Sequence, residues 1–302
     1  MPREAFASRR ASARNGSIAI FLPSLTGGGA QRAMVNLATG FASRGWRTDM
    51  VLARATGVYL SEVGDGVRLV DLRARRTLTS LPGLAAYLRS ARPTVLLTTI
   101  NHANVIATWA RRLARVPTRL VLREANTASV AMRRTERWRD RGVLAAMRSC
   151  YRAADGIVAV SDGVAEDLSS LLGLPPARVE VIYNPVVTED LAARAAEPLD
   201  HPWFLPDSPP VILAVGRLHH QKDYGTLIRA FQRVRSERPA RLLILGEGKE
   251  RLALEELVRE LGVAEDVSLP GFVQNPFAYM ARSALFVLSS AWEGLPAVLV
   301  QA

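Results

Sequence analysis

Lysine is nearly absent from this chain, with two residues, Lys222 and Lys249, against 37 arginines. Cysteine is rarer still. The single Cys150 excludes a disulfide framework and a cysteine cluster for structural zinc, which fits a reducing compartment. No stretch of about 18 uncharged apolar residues appears, so no membrane-spanning helix is expected. Residues 1–16, MPREAFASRRASARNG, carry arginines with no apolar run behind them. That excludes a secretory signal and makes a disordered basic tail the expectation, with a transit peptide as the alternative on composition. Apolar residues are not scarce: they make up 49% of 302 residues, enough for about two cored domains.

Charge is divided unevenly. Residues 1–195 hold 28 arginines and 15 acids, a net of +13, while residues 196–302 hold 11 cations and 13 acids, a net of −2. A basic first half beside a near-neutral second half implies an anionic partner for the first, either nucleic acid or an acidic membrane surface.

Short apolar runs alternate with amphipathic stretches. Strands are expected at 18–22, 50–53, 67–72, 95–100, 120–122, 157–160 and 179–182, with helices between most of them. This is the rhythm of βαβ units on a parallel sheet. Pro198, Pro202, Pro206, Pro209 and Pro210 then crowd one segment, which reads as an interdomain linker over 196–210. The rhythm restarts at 211–215 and runs to Ala302, where a helix opened by Pro296 has only begun. The expectation is therefore a basic tail over 1–16, a first domain over 17–195, the linker, and a second domain over 211–302 whose sheet is incomplete in this chain.

Three loops carry chemistry. Gly27-Gly28-Gly29-Ala30-Gln31-Arg32 leaves the first strand and opens a helix. Glycines there allow a tight turn, and a helix N-terminus offers N–H groups to an anion, although a merely flexible turn has the same composition. The dinucleotide G-x-G-x-x-G spacing is absent. Gly216-Arg217-Leu218-His219-His220-Gln221-Lys222-Asp223 leaves the first strand of the second half. Arg217 and Lys222 at the C-terminal end of a strand suit a diphosphate; the alternative is two solvated cations. His219 and His220 are adjacent, so their rings are expected to diverge rather than form a metal site. The third loop is Trp292-Glu293-Gly294-Leu295-Pro296, with Gln301 about two helical turns beyond Glu293.

Together these segments resemble the retaining glycosyltransferases of family 4. Gly28-Gly29-Ala30-Gln31-Arg32 is similar to the family's G-G-A-E-R motif with Gln in place of Glu. Gly216-Arg217-Leu218 with Gln221-Lys222-Asp223 is similar to its G-R-L-x-x-x-K-D/G motif, and Gly246-Glu247-Gly248 to its G-x-G. Glu293-Gly294-Leu295-Pro296 opens its Glu-x7-Glu motif, whose second acid is here Gln301. Ser161-Asp162-Gly163 and Val181-Ile182-Tyr183-Asn184-Pro185 are similar to segments of the family's first domain.

The resemblance implies an α/β fold of GT-B architecture, two Rossmann-like domains with the active site in the cleft between them. It implies a retaining, metal-independent transfer from a nucleotide sugar to a glycan or lipid-linked acceptor, with no cofactor. Arg217 and Lys222 would hold the donor diphosphate, and Glu293 would face the donor sugar. Gly28, Gly29, Gly246, Gly248, Gly294, Leu295 and Gln301 would line the donor, Gln301 without the charge of the usual acid. His102, after a first-domain strand, resembles the histidine near the sugar; a helix-capping or packed histidine is the alternative. Arg123-Glu124-Ala125-Asn126 resembles the S-E-R-N segment of members acting on lipid-linked sugars, which places Arg123, Glu124 and Asn126 on the acceptor side; Glu124 as a counter-charge to nearby arginines is the other reading. Arg133, Arg134, Arg137, Arg139 and Arg141 around Trp138, with Arg111, Arg112 and Arg115, suit an anionic leaflet at the inner face of the plasma membrane, or are a solvated face in an arginine-rich chain. Two rival functions are a GT-B-fold sugar-nucleotide epimerase and a basic nucleic-acid-binding protein, the latter lacking any RRM, KH or helix-turn-helix signature.

Overall fold

A computed structural model describes residues 16–132, 137–187 and 190–302, apart from the side chains of 131–141 and 143. The arginines around Trp138 thus lie outside the described side chains. The chain divides into two compact units, Met1–Pro185 and Val186–Ala302.

The first unit is built on seven parallel strands: β1 (Ser17–Leu22), β2 (Arg47–Leu52), β3 (Val67–Asp71), β4 (Val95–Thr99), β5 (Arg119–Glu124), β6 (Gly156–Ala159) and β7 (Glu180–Val181). Their order is β3-β2-β1-β4-β5-β6-β7. All six residues of β1 are buried, because a central parallel strand is covered on both faces and must be apolar throughout. Ile18, Ile20 and Leu22 of β1 pack with Met34, Val35 and Ala38 of the helix Gly29–Ser43. The strand order reverses between β1 and β4. The loops after those two strands therefore diverge, and this is where an open α/β sheet leaves a crevice. They are the glycine loop and the turn that carries His102.

The second unit repeats the plan with four parallel strands: β8 (Val211–Val215), β9 (Arg241–Leu245), β10 (Val267–Gly271) and β11 (Leu285–Phe286), in the order β10-β9-β8-β11. Here the reversal lies between β8 and β11. The loops that follow them carry Lys222 and Glu293. Both units have the Rossmann-like form of the GT-B class.

The division falls earlier than the expected end of the first domain, and residues 196–210 are not a free linker. The helix Leu191–Ala196 is tied to the second unit by Arg194 Nη2 donating to the Gln274 carbonyl (2.7 Å) and Asn275 Nδ2 donating to the Arg194 carbonyl (2.8 Å). Trp203 and Phe204 pack against Leu213, Leu243, Phe277 and Met280, and the Arg241 guanidinium lies 5.1 Å from the Trp203 ring centre. The prolines suppress regular structure, while the aromatic residues between them supply anchors that composition alone does not reveal.

Candidate active site

In the first unit, Gly28 is the residue before the helix Gly29–Ser43 and has φ +113, a conformation that side chains rarely adopt. Gln31 folds back to accept the Gly27 N–H at 2.7 Å, a capping contact that its amide oxygen provides as well as a carboxylate would. A Cβ at Gly29 would meet nothing, so space alone does not require glycine there. Arg32 is committed elsewhere, paired with Glu62 and lying 4.3 Å from the centre of the Tyr59 ring.

Across the β1–β4 crevice, Thr99 ends β4 and the helix Asn101–Ala114 begins at once. His102 is exposed in its first turn, and burial by the surrounding atoms lowers its pKa below the ordinary histidine value. Arg123 and Glu124, expected to line the acceptor side, are each 3% exposed, whereas Asn126 is exposed. Arg123 donates to Thr99 Oγ1 (3.0 Å) and to Asn184 Oδ1, while Glu124 accepts from the Tyr151 hydroxyl (2.7 Å). The strand end that carries both residues turns inward, to polar partners on β4, β7's following loop and the helix Arg137–Arg152. Of the three, only Asn126 is exposed to meet an acceptor.

In the second unit the loop after β8 forms a 3-10 turn, His220–Lys222. It is stapled to the loop after β11 by three bonds: Gln221 Nε2 to the Trp292 carbonyl (2.9 Å), the Ala291 N–H to the Gln221 carbonyl (2.9 Å), and Ser289 Oγ to the Lys222 carbonyl (2.7 Å). The staples bring together two residues 71 positions apart in sequence: Lys222 Nζ meets Glu293 Oε1 at 2.5 Å. Their side chains are 16% and 18% exposed, half-sheltered rather than buried. Arg217 is exposed and forms no ion pair with a described residue. An ammonium fixed by a carboxylate can receive an anion without first breaking that pair, because it keeps two more N–H donors.

The glycines of this unit have a packing role. A Cβ on Gly246 would sit 1.9 Å from the Gly216 carbonyl oxygen, and one on Gly248 would sit 2.1 Å from that of Leu218. Their absence lets the loops after β8 and β9 lie backbone to backbone, with the Leu218 N–H donating to the Glu247 carbonyl at 2.9 Å. Gly248 therefore shapes the Arg217 loop whether or not it also meets a donor. Gln301 Nε2 donates to the Val186 carbonyl at 2.7 Å, and Gly294 and Leu295 lie between it and Glu293 on a half-buried turn. His219 and His220 do not diverge as expected: their rings stand 4.0 Å apart, with His220 also 5.4 Å from the Trp292 ring. Among the described residues no group of three His, Cys, Asp or Glu stands together, and Cys150 is buried in the core.

Residues 28–185 match the family model described as the glycosyl transferase 4-like domain, and residues 197–302 match that of the glycosyl transferases group 1. The chain belongs to this glycosyltransferase family. It is 35% identical over 202 residues to the N-acetylgalactosamine-N,N'-diacetylbacillosaminyl-diphospho-undecaprenol 4-alpha-N-acetylgalactosaminyltransferase of Campylobacter jejuni, covering 67% of this chain and 53% of that protein. It is 32% identical to the lipopolysaccharide core biosynthesis glycosyltransferase LpsE of Rhizobium meliloti over 51% of this chain and 42% of that one. The chain spans about half the length of the curated relatives it matches. Among solved structures, the sucrose-phosphate synthase of Thermosynechococcus elongatus (TM-score 0.73, 18% identity) and the Anabaena HepE protein in complex with UDP and glucose (TM-score 0.72, 19% identity) share the fold over 95% of this chain and 78% of each of theirs.

Sequence reasoning found the ends of β1, β4, β8 and β11. It missed Asn101 and Tyr151, which bond Glu124, Asn104, which bonds Tyr151, and Gln221 and Ser289, which hold Lys222 against Glu293. The asparagines flank His102 in sequence, so proximity was a usable signal; Tyr151 gives none, since it comes from a distant helix.

Proposed function

We propose that this chain is the nucleotide-sugar-binding and transferring part of a retaining, metal-independent glycosyltransferase. Arg217 and Lys222 hold the donor diphosphate and Glu293 holds Lys222 in place. As the bond from the anomeric carbon to the phosphate oxygen breaks, its electron pair passes to the leaving nucleoside diphosphate. The two cations stabilise that growing charge, Lys222 from a half-sheltered position where such contacts act more strongly. The acceptor hydroxyl bonds to the anomeric carbon on the same face, and its proton passes to the departing phosphate oxygen. His102 meets the sugar, and Gly28, Gly29, Gly294, Leu295 and Gln301 line the donor. The observation that carries the reading is the Lys222–Glu293 pair at the strand-order reversal of the second unit, on the loop that also carries the exposed Arg217.

The acceptor is a lipid-linked sugar or growing envelope glycan, as the names of the Campylobacter and Rhizobium relatives suggest. The first unit supports this with a basic surface. Arg112, Arg148 and Arg152 line an open groove of about 550 Å³, and Trp109 and Leu113, beside Arg112 on its helix, are 52% and 51% exposed. Cations flanking exposed apolar side chains fit the headgroup layer of an anionic membrane, here its cytoplasmic face. Among the described residues no helix is long and apolar enough to cross a membrane.

The test is product analysis of the intact protein with a panel of UDP- and GDP-sugars, repeated with Lys222→Ala. Removing the ammonium should lower kcat/KM by about 2–4 kcal/mol of transition-state stabilisation, on the order of 30- to 800-fold. Turnover within about threefold of wild type would remove Lys222 from the reaction. An epimerised nucleotide sugar with no glycosidic product would replace transfer with epimerisation.

A further inference from the structure

Glu124 is the meeting point of a buried polar cluster in the first unit. Its carboxylate accepts from the Tyr151 hydroxyl at Oε2 (2.7 Å) and from the Ala125 N–H at Oε1 (3.2 Å). The Asn101 amide, with its NH2 turned toward the carboxylate, donates to both oxygens at 3.1 and 2.8 Å. The Tyr151 hydroxyl in turn accepts from Asn104 Nδ2 at 2.9 Å. Every bond to Glu124 comes from a donor, and the donors belong to three elements: the end of β5, the helix Asn101–Ala114 and the helix Arg137–Arg152.

The turn that enters the helix Asn101–Ala114 is under strain. Ile100 has φ +78, a region that a β-branched residue enters only when its surroundings impose it. Its carbonyl accepts the first bond of the following helix, from the Asn104 N–H at 2.9 Å. The next residue, Asn101, is clamped to Glu124, and His102 follows.

We propose that Glu124 is a positioning residue that acts through Asn101, holding the strained 100–102 turn so that His102 is aimed at the donor sugar. The assignment rests on the role given to His102 above. It replaces direct contact between Glu124 and an acceptor, which its burial disfavours. Glu124 needs both oxygens as acceptors. Replacement by glutamine sets an NH2 donor against either the Ala125 N–H, which as main chain cannot turn away, or the Tyr151 hydroxyl, and protonation obliges the Asn101 amide to turn its oxygen to the new O–H, so that one bond replaces its two. Burial pushes Glu124 up to about 7, so the clamp weakens just below neutral pH. The other titratable groups facing it do not change state there. Tyr151 is raised well above the ordinary phenol range and stays neutral. Arg123 is pushed down to about 10 and stays cationic. His102 is lowered by burial, away from this range.

The experiment is steady-state transfer by the intact protein across pH 6–8, with Glu124→Gln and Tyr151→Phe as variants, alongside NMR titration of the His102 ring. In Glu124→Gln, kcat should fall by about tenfold while KM for the donor holds within about twofold, and the rise in wild-type kcat around pH 7 should vanish. Tyr151→Phe removes a bond to the charged form, so its rise should move to higher pH. The His102 resonance should show an inflection near pH 7 in wild type that is lost in Glu124→Gln. A kcat within about twofold of wild type, or a loss that leaves the pH dependence and the His102 inflection intact, overturns the proposal. A wild type that transfers no sugar but whose His102 senses Glu124 refutes the transferase reading and retains the clamp. No transfer and no inflection refutes both.

Discussion

Replacing Glu124 by glutamine should make the stability of the first unit less dependent on pH. In the unfolded chain the carboxyl titrates at its ordinary value of 4.5, whereas in the folded protein burial raises it to about 7. A carboxyl with a raised folded pKa contributes its stability fully below 4.5. That contribution is lost as pH rises through 7, because the folded state must then hold a charge that water would solvate better. The gap converts to about 3.5 kcal/mol, using about 1.4 kcal/mol for each pH unit. Glutamine carries no charge at any pH, so it removes this slope. It also weakens the bonds from Ala125 or Tyr151, an offset that is the same at pH 5 and pH 8. The diagnostic is therefore the difference in slope, not the stability at one pH. Hydrogen exchange of the β5 amides, corrected for intrinsic rates, reads the opening free energy of this unit without interference from the other. Between pH 5 and pH 8 the wild type should lose about 2–3 kcal/mol more than the variant. Parallel slopes would mean that Glu124 is ionised throughout, and the clamp would then not respond to pH.

Gly248→Ala should destabilise the second unit by about 2–4 kcal/mol, because its Cβ would lie 2.1 Å from the Leu218 carbonyl oxygen and one of the two main chains must move. An unchanged thermal midpoint would show that the loop relaxes freely. Changing Arg112, Arg148 and Arg152 together to glutamine should reduce co-sedimentation with anionic vesicles, each arginine accounting for on the order of 1 kcal/mol at low salt, and should leave transfer to a soluble acceptor unaltered. Equal binding of wild type to neutral and anionic vesicles would assign the groove's charge to composition alone.

How far the sequence revealed this site follows from what each residue's role depends on. A central parallel strand is covered on both faces, so β1 and β8 stand out as unbroken apolar runs, and the loops after them are legible by position. Arg217, Lys222 and Glu293 could be named for that reason, since chemistry in an α/β sheet gathers at strand ends. That Lys222 and Glu293 touch was not legible, because it depends on β11 pairing with β8 and not with its sequence neighbour β10. Gly246 and Gly248 were visible as glycines, yet a missing Cβ serves a close ligand and a close main chain equally. Only the 1.9 and 2.1 Å approaches show that the second use is present. Glu124 is the opposite case. Its residue type and its place at the end of β5 point outward to an acceptor, but its partners Asn101 and Tyr151 come from helices that no periodic pattern links to it. A carboxylate at a strand end is thus an ambiguous signal. Glu293 remains half-sheltered with a cation and stays available to a donor. Glu124 is enclosed by donors, so the influence it retains on the reaction passes through the turn it holds.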